Sequence, residues 1–275
     1  MGKKDGSQRP IDFEPVPIAK RLRGALEAQN FAMSLVRGRL RRAHPNLSQR
    51  QINLLTLQEL TSVRMNPFDK ATSMPGFYFD VLSALEEIGA PYMIIGAFAA
   101  LAYGSTRLTF DIDIVVDLSE EHILALAERY PPPRYYADPE QMRDSIRRGI
   151  LFNLIDTSQG QKVDLIPLSM EPRYREAFLR RRRHIFETPE GKQFEAWFAR
   201  PEDVILGKLM AWAEGHSSRH EEDIQAMLAF LYSGLDSELV ASYEESRIDR
   251  SAAEMGQEVS ALWEKLKAKA RDTQL

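Results

Sequence analysis

Apolar positions recur along this chain with two periods, one near 3.6 residues and one of two, and the changes between them divide it into regions. Residues 1–17 are polar and contain Pro10, Pro15 and Pro17, which predicts a flexible tail. From Ile18 to about Arg42, Leu22, Leu26, Met33 and Leu40 fall four and seven residues apart, predicting a helix that Pro45 ends. Ser48-Gln49-Arg50-Gln51 has the spacing of a capping box and opens a second helix with Ile52, Leu55 and Leu60 on its apolar positions. These two helices form an arm over residues 18–65. Asn66-Pro67 to Pro75-Gly76 then reads as a linker.

In the body, helix and strand periods alternate. Phe77 to Ile88 predicts a helix closed by Gly89, Tyr92 to Ile95 a short buried strand, and Ala97 to Tyr103 a short helix. Thr109 to Asp117 is rich in β-branched residues and predicts a strand, after which Ser119 caps a helix with Glu120 and Glu121 in its first turn. Two hairpins follow, Leu151–Asp156 with Lys162–Ile166 and His184–Glu187 with Phe194–Ala199. Pro201 starts a helical region that continues through Arg219–Tyr232 and Ser237 to about Ala270. The fold class is therefore α/β (α+β): a mixed-sheet domain over 76–200, a helical domain over 201–275 and a helical arm in front.

Composition adds exclusions. With 44% hydrophobic and 28% charged residues the chain is ordinary for a globular protein, and no run reaches the roughly 18 apolar residues of a membrane helix. There is no cysteine, so disulfides, thiolate metal sites and a cysteine nucleophile are excluded. Basic residues at the start have no apolar run behind them, so no secretory signal is expected, and the overall expectation is a cytoplasmic chain without membrane contact. The net charge of −4 conceals a split: residues 1–64 hold 12 Lys+Arg and 5 Asp+Glu, leaving 24 and 35 for the rest. A basic arm on an acidic body either docks on that body or reaches for nucleic acid.

The candidate chemistry lies between residues 96 and 223. Alternate residues of a strand share a face, so Asp111 and Asp113 project together, roughly 7 Å apart, while Ile112 and Ile114 enter the core. Such a pair suits Mg²⁺, a hard cation that binds one or two carboxylates and its substrate's phosphates. A bare Asp-x-Asp is equally a solvated strand edge, and its flanks raise it above that reading. Gly96 allows a close backbone approach to phosphate before a short helix, and Arg107 is placed to meet a phosphate or a base, or else to pair with an aspartate at the surface. Asp164 stands alone among apolar residues in Lys162-Val163-Asp164-Leu165-Ile166, where a carboxylate is costly unless paired or metal-bound. Lys208, in the otherwise apolar run Val204 to Trp212, either snorkels to water or meets an anion.

The run Ile94-Ile95-Gly96-Ala97-Phe98-Ala99, through Tyr103-Gly104 and Arg107-Leu108-Thr109-Phe110 to Asp111-Ile112-Asp113-Ile114, resembles the DNA-polymerase-β-like nucleotidyltransferases, and among them the AbiEii-type toxin group. The resemblance extends over about residues 77–235. It implies a polymerase-β-like domain in which Asp111, Asp113 and Asp164 hold two Mg²⁺ ions and Gly96 and Ala97 form the nucleoside-triphosphate loop. Ala97 departs from the family's Gly or Ser at that place. Arg200 to Leu209 resembles the helix in which the group carries a triphosphate-binding lysine, here Lys208, and Arg219 to Ile224 its following helix, with Asp223 near the site. The implied activity is NMP transfer from an NTP to RNA (tRNA included) or to a protein, as in a toxin. A small-molecule acceptor of aminoglycoside type and a catalytically silent nucleotide- or partner-binding module are the alternatives.

Other signals are discounted. His216 and His220 lack the order of a zinc helix, Arg180–Arg183 reads as a solvated helix end before a strand, and Trp197, Trp212 and Trp263 read as packing residues. Residues 22–60 resemble, more loosely, the short helical antitoxins of this toxin group, so the arm either lies across an acidic cleft of its own body or is a pair of helices extending the core or a dimer contact.

Overall fold

A computed structural model describes residues 33–49, 51–53, 55–56, 76–105, 107, 109, 111–187 and 193–272. The expected tail, the first part of the arm, the linker and the Pro189-Glu190-Gly191 turn lie outside the described residues. In the arm, residues 33–43 form helix α1, and the described residues from 49 to 56 form α2, opened by the Ser48–Gln51 pairing expected of a capping box.

Among the described residues the body holds seven strands: β1 (Tyr92–Ile94), β2 (Ile112–Val116), β3 (Tyr135–Tyr136), β4 (Phe152–Asp156), β5 (Gln161–Pro167), β6 (Arg182–Glu187) and β7 (Gln193–Phe198). They make one mixed sheet in the order β3-β4-β5-β2-β1-β7-β6. β2 runs antiparallel to β1 and parallel to β5, in a register that sets Asp113 beside Asp164. The crossover from β2 to the parallel β5 carries α5 (Glu120–Arg129), α6 (Pro139–Arg148) and the β3–β4 pair. Both expected hairpins are present, β4–β5 and β6–β7. Ile112, Ile114, Val163 and Leu165 are fully buried, as the two-residue period requires of strands at the centre of a sheet.

Helix α3 (Phe77–Glu87) ends at Gly89 with φ +67°, and α4 (Gly96–Ala102) follows β1 directly. After α7 (Pro172–Leu179) and the β6–β7 hairpin the chain is helical: α8 (Pro201–Gly215), α9 (Ser218–Tyr232), α10 (Ser237–Ser242), α11 (Glu245–Glu254) and α12 (Gln257–Asp272). α4 lies against β2 on one side and against α8 and α9 on the other, so the sheet and the helical region share one core. Among the described residues no helix is long and apolar enough to cross a membrane.

Three differences from the sequence reading have physical reasons. β2 begins at Ile112, so Asp111 precedes the strand and is exposed, where water solvates its carboxylate. Helix α6 was not expected, and of α7 only the end before Arg180–Arg183 was read: each is short, and each begins with proline at a first-turn position after a loop. The last helical stretch divides into three, broken at Tyr243–Glu244 and at Gly256, where φ is +113°.

The described arm residues dock on the body, and none of them lines a cleft. Leu35 joins the main core. Arg39, 2% exposed, donates through Nη1 to the Leu101 carbonyl at 3.2 Å and lies 4.9 Å above the Phe230 ring. Arg42 meets both ring nitrogens of His184, at 2.9 and 3.1 Å, and Asp236 at 3.5 Å. These contacts lie toward the C-terminal end of α4, the end opposite Gly96. Part of the arm's positive charge thus goes to one part-buried ion pair with the body, Arg42 with Asp236.

Candidate functional site

The sheet brings the three expected carboxylates to one place. Asp113 and Asp164 are register partners on β2 and β5, and Asp111 stands two residues before Asp113. Asp164 is nearly buried and is held by Asn153, its partner on β4, whose Nδ2 donates to Oδ1 at 2.5 Å. Its second partner is Lys162, two residues earlier on the same face of β5: Nζ lies 3.0 Å from the Asp164 carboxylate and 3.9 Å from Asp111 Oδ1. Burial pushes the Asp113 carboxyl up to about 6, and the negative charges of Asp164 and Asp111 add to the shift, with Lys162 and Lys208 opposing it.

Gly96 is fixed by the same carboxylate. Its φ is +67°, and a Cβ placed there would fall 2.3 Å from Asp113 Oδ2. The Ile95 amide donates to the Asp113 carbonyl at 3.0 Å, which extends the β1–β2 ladder to that residue and holds the start of α4 under its side chain. Glycine is therefore required twice over, by backbone conformation and by proximity.

A second cluster lies on the helical side. Asp223 of α9, 1% exposed at its side chain, accepts from Lys208 Nζ at 2.6 Å, Arg107 Nη2 at 2.9 Å and Ser105 Oγ at 2.8 Å. Burial alone would push the Asp223 carboxyl up, but the Arg107 hydrogen bond and the Lys208 charge outweigh it and hold the carboxyl below its ordinary range. Burial likewise lowers Lys208, against the pull of Asp223.

A cavity of about 540 Å³ connects the two clusters. It is lined by Gly96, Ala97, Asp113, Arg107 and Lys208 of the expected set. Asp111, Asp164 and Asp223 do not line it. Asp223, expected near the site and among its nucleotide-binding residues, stands behind Lys208 and Arg107 and pairs with both. The described arm residues contribute nothing to the lining, so the arm does not plug this cavity with any described residue.

Several side chains were missed at sequence level. Lys162 stood in the strand Lys162–Ile166 without a role, and Ser105 lies between the quoted blocks; two-residue alternation from Asp164 would have placed Lys162 on the carboxylate face. Arg173 and Tyr174 of α7 and Arg247 and Met255 near α11 complete the cavity wall, and no local pattern marks them. Arg180, Arg182 and Arg183 pair with Asp203, Glu238 and Glu86, and Arg181 stacks on Phe178 and Trp197 at 4.1 and 4.7 Å. The four-arginine run is therefore largely neutralised within the fold. Trp212 and Trp263 are buried, as packing residues should be.

The donor chemistry of Asp111, Asp113 and Asp164 suits a hard divalent cation, since all are oxygen ligands and burial, with the negative charges of its neighbours added, already raises Asp113. With Lys162 between Asp111 and Asp164, no group of three or more His, Cys, Asp or Glu side chains is gathered closely enough for an ion among the described residues. Comparison with protein-family models and with curated proteins finds no match for this chain.

Proposed function

We propose that this protein is a magnesium-dependent nucleotidyltransferase with a polymerase-β-like catalytic domain, moving an NMP from an NTP to a hydroxyl of RNA or protein. One observation carries the reading: Asp113 sits beside Asp164 across β2 and β5, against Gly96, in a cavity that also holds Lys208 and Arg107. Negative charge for a cation and positive charge for phosphate thus face one space of small-molecule size.

Asp111, Asp113 and Asp164 would hold Mg²⁺, which when bound neutralises phosphate charge and lowers the pKa of an attacking hydroxyl. Lys208 and Arg107, fixed by Asp223, offset charge that develops on the departing phosphate oxygens. Their orientation is set before substrate arrives, so none of it is spent during reaction. The acceptor oxygen bonds to the α-phosphorus as the α–β bridging bond breaks; the hydroxyl proton passes to solvent and pyrophosphate leaves.

An aminoglycoside-like acceptor, which is cationic, calls for an excess of acidic side chains. The lining instead balances Arg107, Arg173, Lys208 and Arg247 against Asp113, Glu176, Asp203 and Glu254. That balance favours RNA or protein as acceptor. The test is incubation of the full chain and of Asp113→Ala with each α-labelled NTP, Mg²⁺, and bulk RNA or lysate protein. Label on a macromolecule with the natural chain alone is the expected result. No label on any macromolecule from any NTP would leave the small-molecule acceptor and the silent nucleotide-binding module, and label that persists in Asp113→Ala would sink the site.

A further inference from the structure

Lys162 is a cation already seated among the carboxylates that the nucleotidyltransferase reading assigns to metal. It follows from strand periodicity: Lys162 and Asp164 are two residues apart on β5, so both side chains rise from the face on which Asp113 meets Asp164. The ammonium lies 3.0 Å from Asp164 and 3.9 Å from Asp111. Its side chain is 40% exposed, so its path to water is open, whereas Asp164, at 12%, stays where Asn153 holds it. A Mg²⁺ ion bonds carboxylate oxygen at about 2.0–2.1 Å with near-octahedral demands. Such an ion cannot share the space between Asp111 and Asp164 with an ammonium at hydrogen-bond distance.

We propose that Lys162 is a tethered counter-cation: it neutralises the carboxylate cluster when no divalent ion is bound and must swing to solvent for one to enter. The inference rests on the assignment of Asp111, Asp113 and Asp164 as the cation site. Two consequences follow. The fold is relieved of carboxylate repulsion without metal, and the divalent ion enters only by outcompeting an internal charge. Metal affinity is thereby held down, so that the phosphates of an incoming nucleotide, which add ligands of their own, decide when the site fills.

The test uses Mn²⁺ alone, titrated into the full chain and followed by the electron-paramagnetic signal of free Mn²⁺, with melting temperatures recorded in parallel. Lys162→Met should bind Mn²⁺ about five- to tenfold more tightly than the natural chain, as expected for losing one partly exposed competing charge. It should also melt lower in EDTA and regain the difference when Mn²⁺ is added. Lys162→Arg, which keeps the charge, should behave like the natural chain. Unchanged or weaker Mn²⁺ binding by Lys162→Met, with Asp113→Asn still abolishing it, overturns the counter-cation proposal and leaves the metal site intact. Absence of Mn²⁺ binding in every variant, or binding indifferent to Asp113→Asn, overturns this proposal and the site assignment together.

Discussion

Gly96 and Gly89 offer a matched pair of substitutions that separates backbone strain from damage to the site. Both have φ +67°, so alanine at either pays the same left-handed penalty, about 1–2 kcal/mol. They differ in surroundings. A Cβ at Gly89 meets nothing within 4 Å, whereas at Gly96 it falls 2.3 Å from Asp113 Oδ2 and 3.2 Å from Cγ. The Asp113 carboxylate must therefore rotate away from α4, and that motion carries it out of register with Asp164. Overpacking costs about 1–3 kcal/mol where nothing yields. Here a carboxylate at the end of a short side chain yields, so Gly96→Ala should exceed Gly89→Ala by at most that amount in urea unfolding. Function separates them far more. A displacement near 1 Å at a reacting centre costs about 10²-fold, so Gly96→Ala should lose at least that much NMP transfer while Gly89→Ala keeps most of it. Equal activity in the two variants, with both folded, would refute the claim that the contact between Gly96 and Asp113 builds the site.

Three further outcomes are expected. Asp113, raised from 3.8 to about 6, binds its proton more tightly in the folded chain than in the unfolded one, so in EDTA its contribution to stability falls as pH rises from about 4 through 6. Asp113→Asn should accordingly gain on the natural chain across that window in urea midpoints; a difference independent of pH would count against the crowded-carboxylate account. Asp223→Asn should cost about 3–5 kcal/mol, because Lys208 and Arg107 lose a shared buried counter-charge, and Lys208→Met should cost less because Arg107 remains at 2.9 Å. Chemical denaturation of both variants checks that order, and the reverse order would show that Asp223 does not organise the pair. Arg39→Met removes a buried charged hydrogen bond to Leu101 and a ring contact, for an expected loss of about 2–4 kcal/mol in unfolding free energy. A loss under 0.5 kcal/mol would mean that the arm is not part of the fold's cooperative unit.

The elements legible in the sequence were those whose reason is local. The β4–β5 and β6–β7 hairpins, β1, α4 and Asp164 on a strand all follow from period, turn residues and an isolated charge in an apolar run. Asp111 and Asp113 were legible as a pair, yet their meeting with Asp164 depends on a parallel β2–β5 register that no local pattern encodes. Asp223 illustrates the limit most clearly. The sequence marks it as an acidic residue at a helix start, and only packing of α9 against α8 and the Ser105–Arg107 loop turns it into the support of Lys208 and Arg107. The place of the arm was left open, between a cleft and an extension of the core, for a related reason. Net charge suggests attraction between arm and cleft, but Arg39 and Arg42 answer to a carbonyl, an aromatic ring, His184 and Asp236, which are short-range partners invisible to a charge count.

The central claim is that the bond broken lies between the α- and β-phosphates, with Asp113 required. Two parallel reactions decide it, one with each NTP labelled at the α-phosphate and one with each labelled at the γ-phosphate, both with Mg²⁺ and an RNA or protein acceptor. The account predicts that the α-label becomes attached to the acceptor, that the γ-label appears in pyrophosphate, and that Asp113→Asn abolishes both. Attachment of the γ-label, or no transfer of the α-label from any nucleotide to any acceptor, would contradict it.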